Sequence, residues 1–386
     1  MRKILTMLTV CAFAAAAQAT NINWQGDESN DFGTGGNWAG GAVPGPGDEL
    51  TFDSTASSFT VDVDSDYTIG DSYNDFLIVS GAYTFNGSGT ITVASSNDKP
   101  NVTLNLNADS GQTQTLNNNI SLTNSGTGVT YFRAGDNNSG GTVRFGGKLI
   151  LNDAGSSILM PLDSVTVYYD GGVDLYNAAH ANSKNSSSSP AFFRGAVTDA
   201  DGGSDSRFVA GGGWSVFANT NGVVGDSSLS DVLFQGGDLR LGADHQVETM
   251  LRTAASSYSP SFDLNGFSNT NTASLLLLDG GSGFTLTIDF SDEEAESLWF
   301  SDSSGHGWST NTSVLNLVGF ELGKDEIRFG TDESGLDGGQ LSVIRIDGES
   351  GDYSLDNNGY LIPEPATMGL IGATGAALLF IRRRIR

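Results

Sequence analysis

The sequence predicts an all-β chain, with a right-handed parallel β-helix, or solenoid, as the expected architecture and tandem β-sandwiches as the alternative. Three observations lead there. The first is alternation. Apolar residues occupy every second position in Phe59-Thr60-Val61-Asp62-Val63, Asn101-Val102-Thr103-Leu104-Asn105-Leu106, Val165-Thr166-Val167-Tyr168 and Phe284-Thr285-Leu286-Thr287-Ile288. That is the period of a strand with one buried face. The second is punctuation. Clusters such as Asn86-Gly87-Ser88-Gly89 and Asp279-Gly280-Gly281 separate the runs, so short strands return roughly every ten residues. The third is persistence. More than about twenty candidate strands follow without a dividing linker, whereas a sandwich closes after about seven to nine and a solenoid continues. Gly supplies 52 of 386 residues, about twice the usual ~7%, which suits many tight turns. No strict sequence repeat accompanies the rhythm.

The elements follow in order. Arg2 and Lys3 precede an apolar stretch over residues 4–17, and Ala17-Gln18-Ala19 has the A-x-A form of a signal-peptidase site. Residues 1–19 are therefore expected to be a signal peptide, with the mature chain starting at Thr20. Cys11 follows Val10 rather than the small residue of a lipobox, and reads as filler of the apolar stretch. The solenoid is expected over 20–362, with an N-terminal cap at 20–58 and a C-terminal cap region at 284–346. In the first cap, Trp24, Trp38 and the turn Val43-Pro44-Gly45-Pro46-Gly47-Asp48 would cover an exposed first turn of the stack, as a solenoid requires. Stacking of these tryptophans on sugar rings is the functional alternative. The serine-rich stretch 182–189 reads as a loop. Ser291-Asp292-Glu293-Glu294 reads as a capping box and predicts a short helix over 292–298.

The last residues form a second address. Pro363-Glu364-Pro365 is followed by an apolar stretch, 366–381, and then by Arg382, Arg383, Arg384, Ile385 and Arg386. The stretch is shorter than the ~20 residues that span a bilayer core. The arginines still set a direction, because basic residues stay on the cytoplasmic side and leave the rest of the chain outside. A short transmembrane sorting helix is expected here, with an ordinary membrane anchor as the plainer reading.

Composition bounds the function. Between the two end segments lie 12 basic and 44 acidic residues, a charge of about −32. Nucleic acid is thereby excluded as a partner, since phosphate binding needs clustered Lys and Arg. Loss of Cys11 with the signal peptide leaves no cysteine, and with it go thiolate nucleophiles and zinc-thiolate sites. About 340 residues bury a sufficient core without disulfides. His180, His245 and His306 have no metal-ligand partner at short spacing. Asp62, Asp64 and Asp66 alternate like the first ligands of a calcium loop, but Tyr67 stands where the glycine is needed and Tyr73 where the closing Glu is needed. They read as the solvated face of a strand. No G-x-S-x-G, H-E-x-x-H, P-loop or G-x-G-x-x-G occurs. No catalytic residue, cofactor or metal is expected.

At each of its parts the tail resembles the PEP-CTERM sorting domain of Gram-negative bacteria: the tripeptide Pro363-Glu364-Pro365, the apolar stretch and the arginine end. The resemblance implies recognition and cleavage by an exosortase, transient inner-membrane anchoring, and display at or release from the outer surface. The two ends of the body also resemble exported solenoid proteins with autotransporter-type β-strand repeats. Trp24, Asn37-Trp38, Val43-Pro44-Gly45 and Phe52 match the opening pattern. Leu298-Trp299-Phe300, Asp302-Ser303-Ser304, Arg328-Phe329-Gly330-Thr331-Asp332, Gly335-Leu336 and Gln340-Leu341 match the closing one. That likeness implies fold and location, and carries no catalytic residues. The expectation is thus a non-enzymatic, structural or adhesive surface protein with exopolysaccharide as its partner. A polysaccharide lyase or glycosidase on the same scaffold is the alternative.

Overall fold

The computed structural model describes residues 21–363, apart from 71–76, 96–100, 108–109, 125–128, 135–139, 154–155, 162–163, 185–188, 203–204, 255–257, 278–282 and 311. It is all-β, with 49% strand and 3% helix, wound into a solenoid of about 10 turns. Each early turn lays down three strands. The first turn uses Glu49–Phe52, Thr60–Asp62 and Tyr67–Ile69, and later turns add parallel strands to the same three faces. On the first face Leu50, Leu77 and Leu104 are register partners at one even interval. On the second face a slightly shorter interval then holds without change through Val143, Val167, Ala191, Ser215 and Leu239.

Register explains the core. Stacking in parallel with a whole turn between partners places like over like, and alternation sends every second residue inward. Leu122, Leu151 and Leu175 form one buried column on the third face. Phe145, Tyr169 and Phe193 form another on the second, with stacked rings 5.4 and 4.7 Å apart. Glycines pass the corner between these faces. A Cβ on Gly171 would collide with the Gly147 carbonyl oxygen, so successive corners nest only without side chains.

The third face thins between Val197–Asp199 and Asn269–Thr272, where single bridges through Gly225 and Val247 replace full strands. Buried amides take over the lost backbone pairing. Gln246 donates to the carbonyls of Asn219, Gly222 and Asp244 at 3.0, 3.1 and 2.7 Å. Asn269 accepts from the Val247 amide at 2.8 Å and donates to its carbonyl at 2.9 Å.

The stack is closed at both ends. Trp24 and Trp38 are 1% exposed and lie edge-on to one another at 5.1 Å, above Phe52 of the first turn. Their indole N–H groups donate to the carbonyls of Ser58 and Phe32. These rings are interior, so they offer no sugar platform. At the far end Trp308 donates to the Leu275 carbonyl at 2.9 Å, and short antiparallel pairs replace the parallel ladder. Residues 292–298 are not a helix: Ser297–Phe300 is a strand paired on both sides, with Asn269–Thr272 and Glu326–Phe329. The α-helix among the described residues is Gly338–Ser342, with a capping box from Asp337 and Gln340, and one 3-10 turn lies at Gly35–Asn37. Ladder pairing on two edges outweighs a local capping signal worth about 1 kcal/mol. The stretch 182–189 is also part strand, since His180–Lys184 joins the first face.

Replacing either Trp24 or Trp38 with Ala is expected to cost about 3–5 kcal/mol. Urea unfolding followed by circular dichroism measures it, and an unchanged midpoint would contradict the closing role.

Candidate functional site

The outward surface of the second face carries an uninterrupted row. The constant turn length places Arg144, Tyr168, Phe192, Val216 and Arg240 directly above one another, and Asp263 follows as the register partner of Arg240. Arg144, Tyr168, Phe192 and Arg240 are the half-exposed neighbours of core residues in alternating strands, while Val216 and Asp263 are nearly covered, each 8% exposed. In Tyr168-Tyr169 and Phe192-Phe193 the first ring points out and the second is buried. Trp214, in the adjacent column, is half-buried and stands beside the row.

Aromatic faces and guanidinium groups interleave here. Arg144 and Arg194 lie 4.8 and 4.3 Å from the Tyr168 ring, and Phe192 stacks on Tyr168 at 4.9 Å. Arg240 lies 4.6 Å from the Trp214 ring. Such contacts hold a guanidinium flat against a ring. Asp170 bonds Arg144 at 2.5 Å and reaches Arg194 only at 3.8 Å, while Asp263 bonds the Nε of Arg240 at 2.6 Å. A groove of about 630 Å³ runs beside the row, walled by Pro190, Phe192, Arg194, Trp214, Arg240 and Phe267. Its floor is low because Ala218 and Gly242 meet there. A Cβ on Gly242 would come within 2.7 Å of the Ala218 Cβ.

A second cleft, about 460 Å³, lies on the third face near the C-terminal end, around Trp299, Arg328, Asn271, Asp302, Thr331 and Asp332. Trp299 meets Tyr360 edge-on at 6.3 Å, with Arg328 5.2 Å from its ring. Asp302 and Asp332 are tied into their own turns. Each accepts from the amide and hydroxyl of a nearby serine, Ser304 and Ser334 respectively. The Ser334 bonds hold the Asp332 carboxyl below its ordinary range.

Other titratable groups serve the fold. Asp231, 1% exposed, lies between Arg207 and Arg252. Burial, then the Arg207 charge, lowers the His180 pKa. His245 takes a left-handed backbone and sits 3.1 Å from the Thr270 hydroxyl, and the His306 carbonyl accepts from Gln340. Asp66 accepts from the Thr90 amide, Asp64 is exposed, and among the described residues no three His, Cys, Asp or Glu could hold a metal. Glu296 is fully enclosed. One oxygen accepts from the Gly266 amide at 2.7 Å, and the other has no partner. Burial, reinforced by Asp292, Asp325 and Asp263, pushes its pKa up to about 7. It lines neither groove.

Pro363, the last described residue, ends the strand Leu361–Pro363, which pairs with Tyr353–Leu355. Glu364, Pro365 and Arg382, Arg383, Arg384 and Arg386 lie outside the described residues, as do Ala17, Ala19 and Thr20. The model of the PEP-CTERM protein-sorting motif matches residues 361–384. The chain carries a PEP-CTERM sorting motif. That motif is an exosortase substrate signal, which makes this an exported protein with a C-terminal sorting signal. No curated protein and no solved structure matches the chain. Among the described residues no helix is long and apolar enough to cross a membrane, and the expected sorting helix, 366–381, lies outside them.

Stability is expected to fall as pH rises from about 4.5 to about 7 on account of Glu296. Its folded pKa, about 7, stands above the ordinary 4.5, so the unfolded chain releases this proton first and deprotonation favours unfolding across that window. Melting temperatures across this range measure it against Glu296→Gln, in which this component should vanish. Parallel curves for the two proteins would contradict the assignment.

Proposed function

We propose that this protein is a non-enzymatic component of the extracellular matrix, structural or adhesive, which binds exopolysaccharide along the outside of its second face. Signal peptidase removes residues 1–19. An exosortase then cleaves near Pro363-Glu364-Pro365, so that the body is displayed on or released from the outer surface of a Gram-negative cell after brief inner-membrane anchoring. The observation that carries this reading is the row of half-buried rings and arginines on a rigid face. Rings with one exposed edge suit the apolar faces of sugars, and arginines beside them supply directional donors. An open groove on a stack of parallel strands also suits a long polymer better than a small substrate. Of the carboxyls raised by burial, Glu296 lines neither groove, and Asp263, beside the row, is engaged by the Arg240 guanidinium. That favours binding over general acid catalysis.

Two measurements test this. Protein isolated from its host should begin at Thr20 and lack the residues after the Pro363-Glu364-Pro365 region, read by intact mass; retention of Arg386 would leave a plain anchor instead. Trp214→Ala should weaken retention in gels containing the host's exopolysaccharide by about tenfold, or ~1.4 kcal/mol, with an unchanged dichroism spectrum. Fragmentation of the polymer during the assay would instead favour the lyase or glycosidase alternative.

A further inference from the structure

We propose that the second-face row is a track for a linear polysaccharide carrying a carboxylate on alternate sugars. This deepens the polysaccharide reading above and rests on it. Two aromatic–arginine units define the track: Tyr168 with Arg144 and Arg194, and Trp214 with Arg240. Their rings belong to strands two turns apart, Thr166–Tyr169 and the second half of Arg207–Phe217, and the arginines occupy the alternating turns: Arg144 on Thr142–Phe145, Arg194 directly after Ala191–Phe193, and Arg240 on Gly237–Leu241. Parallel neighbours lie about 4.8 Å apart, so the units repeat at about 10 Å along the stack. One turn is about as long as one sugar in an extended chain, and two turns match a disaccharide.

Between the arginine-bearing turns, the turns of Tyr168 and Trp214 present rings on this face. Phe192 stacks on Tyr168, Pro190 walls the groove, and Ala218 and Gly242 keep its floor low. A neutral sugar fits over the Tyr168 and Trp214 rings by its apolar face. At the charged units the arginines keep capacity for a ligand. Asp170 is shared, and its 3.8 Å contact with the exposed Arg194 is the weaker one. Asp263 engages Arg240 through Nε, and a guanidinium carries about five donors in all. The body as a whole repels a polyanion, since it holds 44 acids against 12 bases with the row included. A uniformly charged polymer would meet Asp170, Asp238 and Asp263 on either side of the arginines, whereas one with alternate charges meets the arginines in step.

Affinity electrophoresis of the exported protein against three polymers tests the proposal: an alternating uronate–hexosamine chain, a homopolyuronate and a neutral glucan. The alternating chain is expected to bind about tenfold more tightly than either other. Arg194→Gln and Arg240→Gln should each lower that affinity about fivefold, Arg194→Gln with an unchanged melting temperature and Arg240→Gln with a lower one, since it leaves the nearly buried Asp263 without its ion pair. Arg194→Lys should recover part of the loss, because the charge returns without the fork. Equal affinity for the two anionic polymers would overturn the alternate spacing. Normal binding by both Gln variants would overturn the role of the arginines. In either event a loss of binding in Trp214→Ala would leave the polysaccharide reading standing. Absence of binding to all three polymers and to the host's own would overturn both.

Discussion

Each turn must arrive in register above the last, and the rest of the molecule depends on that constraint. A slip of one residue would turn every core side chain of a strand to solvent. The second face meets the demand by holding one interval between partners from Val143 to Leu239. The first face tolerates a longer interval between Leu50 and Leu77, because the added length lies in the turns rather than in the strands. Core columns such as Phe145, Tyr169 and Phe193 are the outcome of register, and they reinforce it. A ring stacked on a ring loses contact area if either strand shifts.

Turn length still varies, and buried polar side chains absorb the variation. Asp231 and Met250 are partners across a much shorter turn, with too little chain for three full strands and their corners. There Gln246 and Asn269 bond to carbonyls and amides that a longer strand would have paired. Asn118 does the same at an earlier corner, donating to the carbonyls of Val63 and Gly89 at 3.0 Å each. An enclosed amide that satisfies several backbone groups costs little, whereas the same groups left unpaired would each cost about 1–3 kcal/mol.

Alternation made the strands legible, because a half-buried strand writes its inward face at every second residue. The closing tryptophans were legible too, since large rings at the head of an open stack have an apolar end to cover. Two features were not. The helix expected at 292–298 rested on Ser291-Asp292-Glu293-Glu294 alone, and a local signal carries no record of the strands on either side. The outward row of rings and arginines stayed hidden because its members are a whole turn apart in sequence and its rings fall in doublets. Tyr168-Tyr169 and Phe192-Phe193 look like plain core, yet one ring of each pair faces out. A search at the interval of the second face would have aligned Arg144, Tyr168, Phe192 and Arg240, but the longer turns before them and the shorter ones after blur that period over the whole chain.

The same period accounts for where the row lies. Outward residues align into a continuous surface only where consecutive turns share one length, and from Arg144 to Arg240 the second face keeps that length. The outward column also changes character along the stack. Thr60, Thr84 and Thr115 precede Arg144, and Asp263 and Asp289 follow Arg240. The arginine and aromatic segment is thus bounded on one side by small polar residues and on the other by carboxylates. Within a body of high negative charge, a stretch where Arg144, Arg194 and Arg240 offset their neighbouring acids is the place where an anionic chain meets the least repulsion. Their pairing with Asp170 and Asp263 does not remove that effect. It fixes the guanidinium groups against the rings before any ligand arrives, so less side-chain freedom is lost on binding.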